Sequence, residues 1–113
     1  IITFGGGVVT DLGGFLASTY CRGVPLVMIP TTLLGMVDAS IGGKNGVNSH
    51  GVKNAIGTLY QPKKVIIDPL LLHTLPRKEF LNGFAEMIKH GLVADPHYLQ
   101  YLEEHSNDIL KLD

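Results

Sequence analysis

The chain has 113 residues, of which 45% are hydrophobic and 17% are charged, and its formal net charge at pH 7 is -1. Nine Lys and Arg against ten Asp and Glu leave no basic excess to neutralise a nucleic-acid backbone, and no uninterrupted apolar run approaches the roughly 20 residues of a membrane span. The single Cys21 excludes an internal disulfide and fits a reducing compartment, so we expect a cytoplasmic globular protein with neither nucleic-acid nor membrane partners.

The chain opens on a strand, a glycine turn and a helix. Residues 1–4 predict a buried strand, and after glycines 5–7 apolar residues recur at helical spacing. Such a turn can cradle a phosphate, because glycine permits close approach and the first helical turn presents unpaired N–H groups. The spacing does not match the G-x-G-x-x-G fingerprint of dinucleotide-binding proteins. Asp11, placed in the first helical turn, can equally be a residue that compensates the helix dipole.

Two further strands are predicted along the chain. Residues 25–30 lie between two prolines and predict a second buried strand, after which Thr31 and Thr32 can cap a short apolar helix. Residues 65–68 predict a third strand, which is closed by Pro69 and a one-turn helix. Strands that alternate with helices in this way indicate an α/β fold.

Residues 38–54, DASIGGKNGVNSHGVKN, have few apolar side chains that could pack in a core and many polar groups that could bind a ligand. Their four glycines let the backbone approach a ligand closely or adopt positive φ. Lys44 and Lys53 supply point charges, and Asn48 and Asn54 supply fixed amide donors. The segment therefore predicts a site for an anion and a polyol, with a solvated surface loop as the alternative.

The character of the sequence becomes helical near residue 76. Pro76 suits the first position of a helix that we expect to reach Leu92, and its apolar residues from Phe80 to Ile88 repeat every 3.6 residues. Asp95 and the proline after it open another helix. A second domain is expected to begin at this change.

Glu86 and Lys89 stand three residues apart on the first of these helices and therefore share a face. They form either a solvated ion pair or part of a cleft wall. His90, four residues after Glu86, can complete a two-ligand metal site, although catalytic zinc usually has three protein ligands.

Neither end of the sequence has the features of a natural chain end. Residue 1 is not an initiator Met and no charged segment or cleavage sequence follows it. Residues 109–113 stop in a helical pattern without a Gly or Pro stop signal. We therefore expect an internal fragment of a larger enzyme.

Five segments occur in this order along the chain: GGGVVTDLGGF, RGV, IPTTLLGMVDASIGGKNGVN, GVKNAIGTLYQP and TLPRKEFLNGFAEMIKHGLV. Together they resemble the 3-dehydroquinate synthase family, without a large gap from Gly5 to about Glu104. The resemblance implies that residues 1–75 are the C-terminal part of a Rossmann-like NAD-binding α/β domain. It implies that residues 76–113 are the first helices of an all-α metal and substrate domain.

The same resemblance implies an activity and its cofactors. The family converts 3-deoxy-D-arabino-heptulosonate 7-phosphate to 3-dehydroquinate in the shikimate pathway, using NAD and zinc, with cobalt as a possible replacement. Hydride passes to NAD and later returns, phosphate is eliminated in between, and ring opening with an aldol closure completes the cycle. A homodimer is implied for the full-length enzyme.

Individual roles follow from the matched segments. The residues implied to contact NAD are Gly7, Val8, Val9, Thr10, Asp11, Thr31, Thr32, Lys44, Lys53, Leu71, Leu72, His73 and Thr74. Those implied to line the substrate are Asp38, Lys44, Asn54 and Lys89. Lys44 and Asn54 lie toward its phosphate, and Arg22 reaches that phosphate across a dimer contact. Glu86 matches the first zinc ligand, and the other two are histidines beyond Asp113, so we expect the fragment alone to be inactive.

Other enzymes of similar type remain alternatives. Inosose synthases of the aminoglycoside type and valiolone-forming enzymes resemble this family in fold, NAD and metal, whereas glycines 42 and 43 before Lys44 favour 3-dehydroquinate synthase. A glycerol-dehydrogenase-like enzyme is a more distant alternative. A catalytically inactive binding domain is disfavoured by the presence of Lys44, Lys53, Glu86 and Lys89.

Overall fold

The computed structural model describes residues 1–111, so that Leu112 and Asp113 lie outside the described residues. Within this range the fold is mixed α/β, as predicted. The regular elements are β1 (Ile2–Gly5), α1 (Gly7–Thr19), β2 (Val27–Pro30), β3 (Lys44–Ser49), β4 (Val52–Leu59), β5 (Lys64–Val65), α2 (Arg77–Ala94), α3 (Pro96–Glu104) and α4 (Ser106–Lys111). Short helical turns lie at Tyr20–Arg22, Gly35–Ala39 and Pro69–Thr74.

Three strands form a parallel sheet in the order β1-β2-β5. Ile2 pairs with Val27, and Met28 pairs with Val65, so β2 is the central strand. α1 connects β1 to β2, as a parallel pair requires. β3 and β4 form a separate antiparallel hairpin, which packs against α1.

The predictions for β1 and β2 are confirmed in position, but β1 is only half buried. Thr3 packs beneath α1 and is 4% exposed, whereas Ile2 and Phe4 are 71% and 62% exposed. Successive side chains of a strand point to opposite faces, and in residues 1–111 the helix α1 covers one face of the sheet.

The third strand is shorter than predicted. β5 ends at Val65, although the N–H of Ile66 still donates to the Met28 carbonyl at 2.8 Å. Asp68 then turns the chain, because its carboxylate accepts from the Leu70 N–H at 3.0 Å and caps the helical turn that follows.

α1 packs through its small residues rather than through its apolar stripe. Thr10, Gly14 and Ala17 are buried, whereas Val8 and Leu12 are 82% and 54% exposed. A face of small side chains lets the helix lie close to both the sheet and the hairpin, so α1 fixes the distance between these two units.

The helix predicted from Pro76 to Leu92 is confirmed as α2, with one correction at its start. Pro76 is the residue that precedes the helix and not its first residue, because its ψ of 138° is extended. Phe80 and Phe84 are buried, as the apolar periodicity predicts. Asp95 begins α3 as predicted, because its carboxylate accepts two backbone N–H groups.

Two hydrophobic clusters hold the fold together. The smaller contains Ala17, Leu26 and Met28, between α1 and the sheet. The larger contains Leu33, Met36, Leu72, Phe80, Phe84 and Leu102. Residues on both sides of residue 76 share this second cluster, and a domain division at that point stays a prediction. No helix within residues 1–111 is long and apolar enough to cross a membrane.

Candidate functional site

A cleft of about 880 Å³ lies between the start of α1, the helical turn Gly35–Ala39 and the β3–β4 hairpin. Its lining residues are Gly7, Val8, Asp11, Thr32, Leu34, Asp38, Ala39, Gly42, Lys44, Asn45, Gly46, Lys53, Asn54, Gly57, Thr58, Leu59 and Glu79. Eight of these were predicted as site residues: Gly7, Val8, Asp11, Thr32, Asp38, Lys44, Lys53 and Asn54. Residues that are distant in sequence therefore meet around one space.

The N-terminus of α1 forms one wall of the cleft. Among residues 1–111 no side chain caps this helix at Gly6, and the first amides with a backbone partner are those of Val9 and Thr10, both bonded to the Gly6 carbonyl. Gly7 and Val8 line the cleft at the positive end of the helix dipole. This wall has the geometry of a phosphate site.

Asp11 faces the cleft from the same helix. It lies beyond the first turn of α1, which contains no acidic residue, so the alternative of a dipole-compensating side chain is wrong. Partial burial raises the pKa of the Asp11 carboxyl above its ordinary value of 3.8, the charge of Asp38 adds to this increase, and Lys53 opposes it. The charges of Asp38 and Lys53, which also line the cleft, therefore act in opposite directions on Asp11.

The raised pKa of Asp11 predicts a stability change that depends on pH. A carboxyl whose pKa is higher in the folded than in the unfolded chain destabilises the fold once it ionises. We expect Asp11→Asn to increase the free energy of unfolding at pH 7 and to have little effect below pH 3.8, where the wild-type carboxyl is mostly protonated. Urea titrations at both pH values measure the two differences.

Glu103→Gln, at an exposed position on α3, is the control for this experiment. It is expected to change the free energy of unfolding little at either pH. An Asp11→Asn variant that is less stable than the wild type at pH 7 would contradict the assignment of Asp11 as a charge held in an unfavourable environment.

The opposite wall is the hairpin, so the alternative of a solvated surface loop is wrong for the part of residues 38–54 that forms strands. Lys44 begins β3 and pairs with Leu59, while a two-residue turn at His50 and Gly51, with φ of 50° and 75°, joins the strands. Asn45 is only 8% exposed. Strand pairing therefore gives Lys44 a fixed backbone position, which a flexible loop would not.

Asn54 has an unusual backbone conformation within β4. Its φ is 51°, and its N–H donates to the Asn48 side-chain oxygen at 2.9 Å. This contact bridges the irregularity in the pairing between Val47 and Ser49. Positive φ is uncommon for residues other than glycine and is concentrated at functional sites, and here it occurs at a residue that lines the cleft.

Asp38 enters the cleft from the Gly35–Ala39 turn. The prediction that Thr32 caps this segment is confirmed, because its hydroxyl oxygen accepts from the Gly35 N–H at 3.1 Å. Thr32 itself lines the cleft, whereas Thr31 does not. The Thr32 hydroxyl and the Asp38 carboxylate therefore belong to one capped segment, and both residues line the cleft.

Glu86, Lys89 and His90 form a second charged group on α2. The Lys89 ammonium forms an ion pair with Glu86, and His90 Nε2 lies 3.7 Å from Glu86 Oε1. The hydrogen bond to Glu86 raises the pKa of Lys89, and the charge of Asp38 acts in the same direction. The ion-pair interpretation is therefore confirmed, whereas neither side chain is among those that line the cleft.

Gly83 allows α2 to pack closely against the backbone at Leu33 and Leu34. A Cβ at Gly83 would lie 2.5 Å from the backbone nitrogen of Leu34 and 2.6 Å from the Leu33 Cβ. Any side chain at residue 83 would therefore push α2, with Glu86 and Lys89, away from the Asp38 side of the cleft.

The remaining predicted site residues lie outside the cleft walls. Thr10 is buried behind the glycine turn, where its hydroxyl donates to the Gly7 carbonyl at 2.9 Å, and Val9 is partly exposed. Leu72 and His73 line a separate apolar cavity with Leu33 and Phe80, and the flanking Leu71 and Thr74 belong to the same helical turn. Arg22 is exposed beyond the end of α1.

Three polar residues of the cleft were missed from the sequence. Glu79 stands seven residues before Glu86, a spacing that places both on one face of a helix and was available as a signal. Asn45 and Thr58 had no comparable signal, because they meet only through the pairing of β3 with β4.

The described residues contain no group of three or more His, Cys, Asp or Glu side chains that could hold a metal ion. Glu86 and His90, one helical turn apart, are a pair of side chains that could share a metal ion. Two such side chains supply half of a tetrahedral coordination shell. A metal at Glu86 would therefore need ligands from outside residues 1–111.

Comparisons with known proteins agree with the geometry. The family model described as 3-dehydroquinate synthase N-terminal matches residues 1–82. A 3-dehydroquinate synthase of Chlamydia caviae is 60% identical over 103 residues, which are 91% of this chain and 27% of that protein. The chain thus spans about a quarter of that relative's length.

Two solved structures are similar in fold. ValA, a 2-epi-5-epi-valiolone synthase from Streptomyces hygroscopicus subsp. jinggangensis with NAD+ and Zn2+ bound, superposes with a TM-score of 0.92 at 44% identity, covering 97% of this chain and 31% of that one. A 2-deoxy-scyllo-inosose synthase complexed with carbaglucose-6-phosphate, NAD+ and Co2+ gives a TM-score of 0.76 at 32% identity, covering 79% and 24%.

Proposed function

The chain belongs to the 3-dehydroquinate synthase N-terminal family, and we propose that the full-length protein converts 3-deoxy-D-arabino-heptulosonate 7-phosphate to 3-dehydroquinate and phosphate. The observation that carries the proposal is the cleft, in which an uncapped helix N-terminus lies together with two lysines, two asparagines and two aspartates. Such a set provides separate partners for the phosphates of a dinucleotide and of a sugar phosphate.

The residues present fit NAD at the α1 side of the cleft. The N-terminal amides at Gly7 and Val8 would bind its pyrophosphate, and Asp11 and Thr32 offer acceptors for ribose hydroxyls nearby. They fit a metal ion only in part, with Glu86 as one ligand and the others outside residues 1–111. When bound, NAD exchanges a hydride with the substrate and zinc or cobalt polarises the reacting alcohol oxygen.

The hairpin side of the cleft would hold the substrate. Lys44 and Asn54 would bind its phosphate, which must be oriented before it can leave. Lys53 lines the same cleft, and its charge opposes the rise in the pKa of Asp11. Asp38 and Lys89 would contact the hydroxyl groups and the carboxylate of the sugar acid, and Lys89 forms an ion pair with Glu86, the proposed metal ligand.

Arg22 supports a homodimer as part of the proposal. It lies outside this chain's own cleft, and Cys21, Arg22 and Gly23 have φ of 48°, 65° and 111° in succession. Positive φ at two consecutive residues with side chains is strained and persists where the surroundings require it. Arg22 is exposed in this conformation, just beyond the end of α1, which suits an arginine that serves the cleft of a second subunit.

Substrate choice tests the proposed activity. We expect the full-length protein, supplied with NAD+ and Zn2+, to release phosphate from 3-deoxy-D-arabino-heptulosonate 7-phosphate and to form 3-dehydroquinate. Glucose 6-phosphate, which lacks the carboxylate, is the comparison substrate, since the inosose synthase neighbour binds a carba analogue of it. Faster turnover of glucose 6-phosphate would assign the protein to the inosose-forming enzymes instead.

Gly7→Val tests the position of NAD. A Cβ at Gly7 would meet only the Ala39 Cβ, at 3.9 Å, so the fold can accept a side chain there. The two γ-methyl groups would instead project toward the cleft, where the pyrophosphate is proposed to bind. We expect weaker NAD binding by calorimetry with an unchanged unfolding midpoint. Wild-type affinity in the folded variant would refute the assignment.

A further inference from the structure

Three polar side chains connect α1 to both strands of the hairpin. Thr58 Oγ1 lies 2.8 Å from Ser18 Oγ and 2.5 Å from Asn45 Oδ1. Asn45 Nδ2 donates in turn to the carbonyl oxygen of Gly43, at 3.3 Å. The chain of contacts therefore begins on α1, crosses β4 and β3, and ends on the peptide next to Lys44.

From Thr58 onward, the donors in this chain of contacts can have only one order. Asn45 Oδ1 accepts but cannot donate, and Thr58 has a single hydroxyl proton, so that proton must go to Asn45. The Ser18 hydroxyl also lies 2.7 Å from the Phe15 carbonyl, to which it can donate instead of to Thr58. The order from Thr58 to Asn45 to the Gly43 carbonyl is fixed, and every member of this part of the chain has a partner.

The last acceptor is the backbone that presents Lys44. The Gly43 carbonyl also accepts from the Tyr60 N–H at 2.8 Å, so two donors fix the orientation of the peptide between residues 43 and 44. Gly43 has a φ of 67°, a conformation that side chains disfavour. A peptide held from two sides in such a conformation sets the direction in which Lys44 leaves the strand.

We propose that Thr58 and Asn45 are positioning residues that orient Lys44 toward the substrate phosphate relative to α1. The inference rests on the proposed function and assigns these two residues a role that acts through Lys44. Their alternative role is direct contact with the ligand, because both also line the cleft. The two roles differ in whether their effect survives the removal of the Lys44 ammonium.

The test compares single and double variants of the full-length enzyme. Thr58→Val keeps the shape of the side chain and removes the hydroxyl, and Thr58→Ser restores the hydroxyl. We expect Thr58→Val to raise both KM for the sugar phosphate and the inhibition constant of inorganic phosphate roughly three- to ten-fold, and Thr58→Ser to stay near the wild type. In a Lys44→Ala background, Thr58→Val should cause no further change.

The possible outcomes distinguish a failure of the proposed function from a failure of the positioning role. If the wild type does not convert the heptulosonate phosphate, the proposed function fails. If the wild type is active and Thr58→Val has wild-type constants, or adds its full effect to that of Lys44→Ala, the positioning role is refuted. Should Thr58→Val not fold, Asn45→Leu, which removes the donor to Gly43 with little change in volume, carries the same comparison.

Discussion

Lys44→Ala in the full-length enzyme is expected to lower turnover of the sugar phosphate by on the order of ten-fold or more. A charge-assisted hydrogen bond to a phosphate contributes roughly 1.5–3 kcal/mol, and a loss of about 1.4 kcal/mol corresponds to a factor of ten. Lys44 is exposed, yet its backbone is fixed by pairing with Leu59 and its side chain lies on the cleft wall. Steady-state kinetics with the heptulosonate phosphate provide the measurement.

Lys63→Ala is the matched control, because Lys63 is also exposed but lies outside the cleft and contacts the sheet through its backbone N–H. It removes the same charge from the protein and is expected to leave kcat and KM unchanged. If Lys44→Ala shows the same unchanged constants over the full range of substrate concentration, Lys44 is a surface lysine and the phosphate assignment is wrong.

Local patterns in the sequence were sufficient to predict most of the regular elements. β1 and β2 are short apolar runs bounded by Gly or Pro, and α2 and α3 have apolar periodicity with a Pro or Asp at the start. The burial of α1 could not be predicted in the same way. Its apolar stripe is exposed in the described residues, because the sheet and hairpin pack on its small side chains.

The β3–β4 hairpin was missed for a different reason. Its strands contain Lys, Asn and Gly among only a few β-branched residues, and the turn at His50 and Gly51 lacks the Asn-Gly or Asp-Gly signal. The hairpin is stabilised by contacts with α1, in which Ser18 hydrogen-bonds to Thr58 and Gly14 packs against Asn45. These contacts join residues that are far apart in sequence. Such contacts leave no periodic signal.

The candidate site likewise contains residues that the local sequence predicts and residues whose position depends on tertiary packing. Residues that the glycine-rich segments place near Lys44 or Gly7 were predicted to bind ligands, and most of them line the cleft. Glu79 and Thr58 also line it, but their position depends on where α2 and β4 pack. The stretch from Leu71 to Thr74 was predicted to contact NAD; Leu72 and His73 line an apolar cavity separate from the cleft, and the NAD contact stays a prediction.

Glu86→Ala is expected to abolish both metal content and activity of the full-length enzyme while NAD binding persists. The Glu86 side chain is 18% exposed and its Oε1 faces Lys89 and His90, so a carboxylate is held at one place on α2. A Glu with two further protein ligands gives zinc the three-ligand geometry that leaves a position open for substrate oxygens. Metal analysis of the purified variant and NAD titration measure the two properties separately.

His90→Ala distinguishes this assignment from a local site made by Glu86 and His90. The 3.7 Å between Glu86 Oε1 and His90 Nε2 permits a shared ion, but two ligands on adjacent turns of one helix fill only half of a tetrahedral shell. We therefore expect zinc titrated into the 113-residue chain to show no tight stoichiometric binding, and His90→Ala in the full-length enzyme to retain its metal. Tight one-to-one binding by the chain that His90→Ala abolishes would place the metal on α2 alone and remove the need for ligands beyond it.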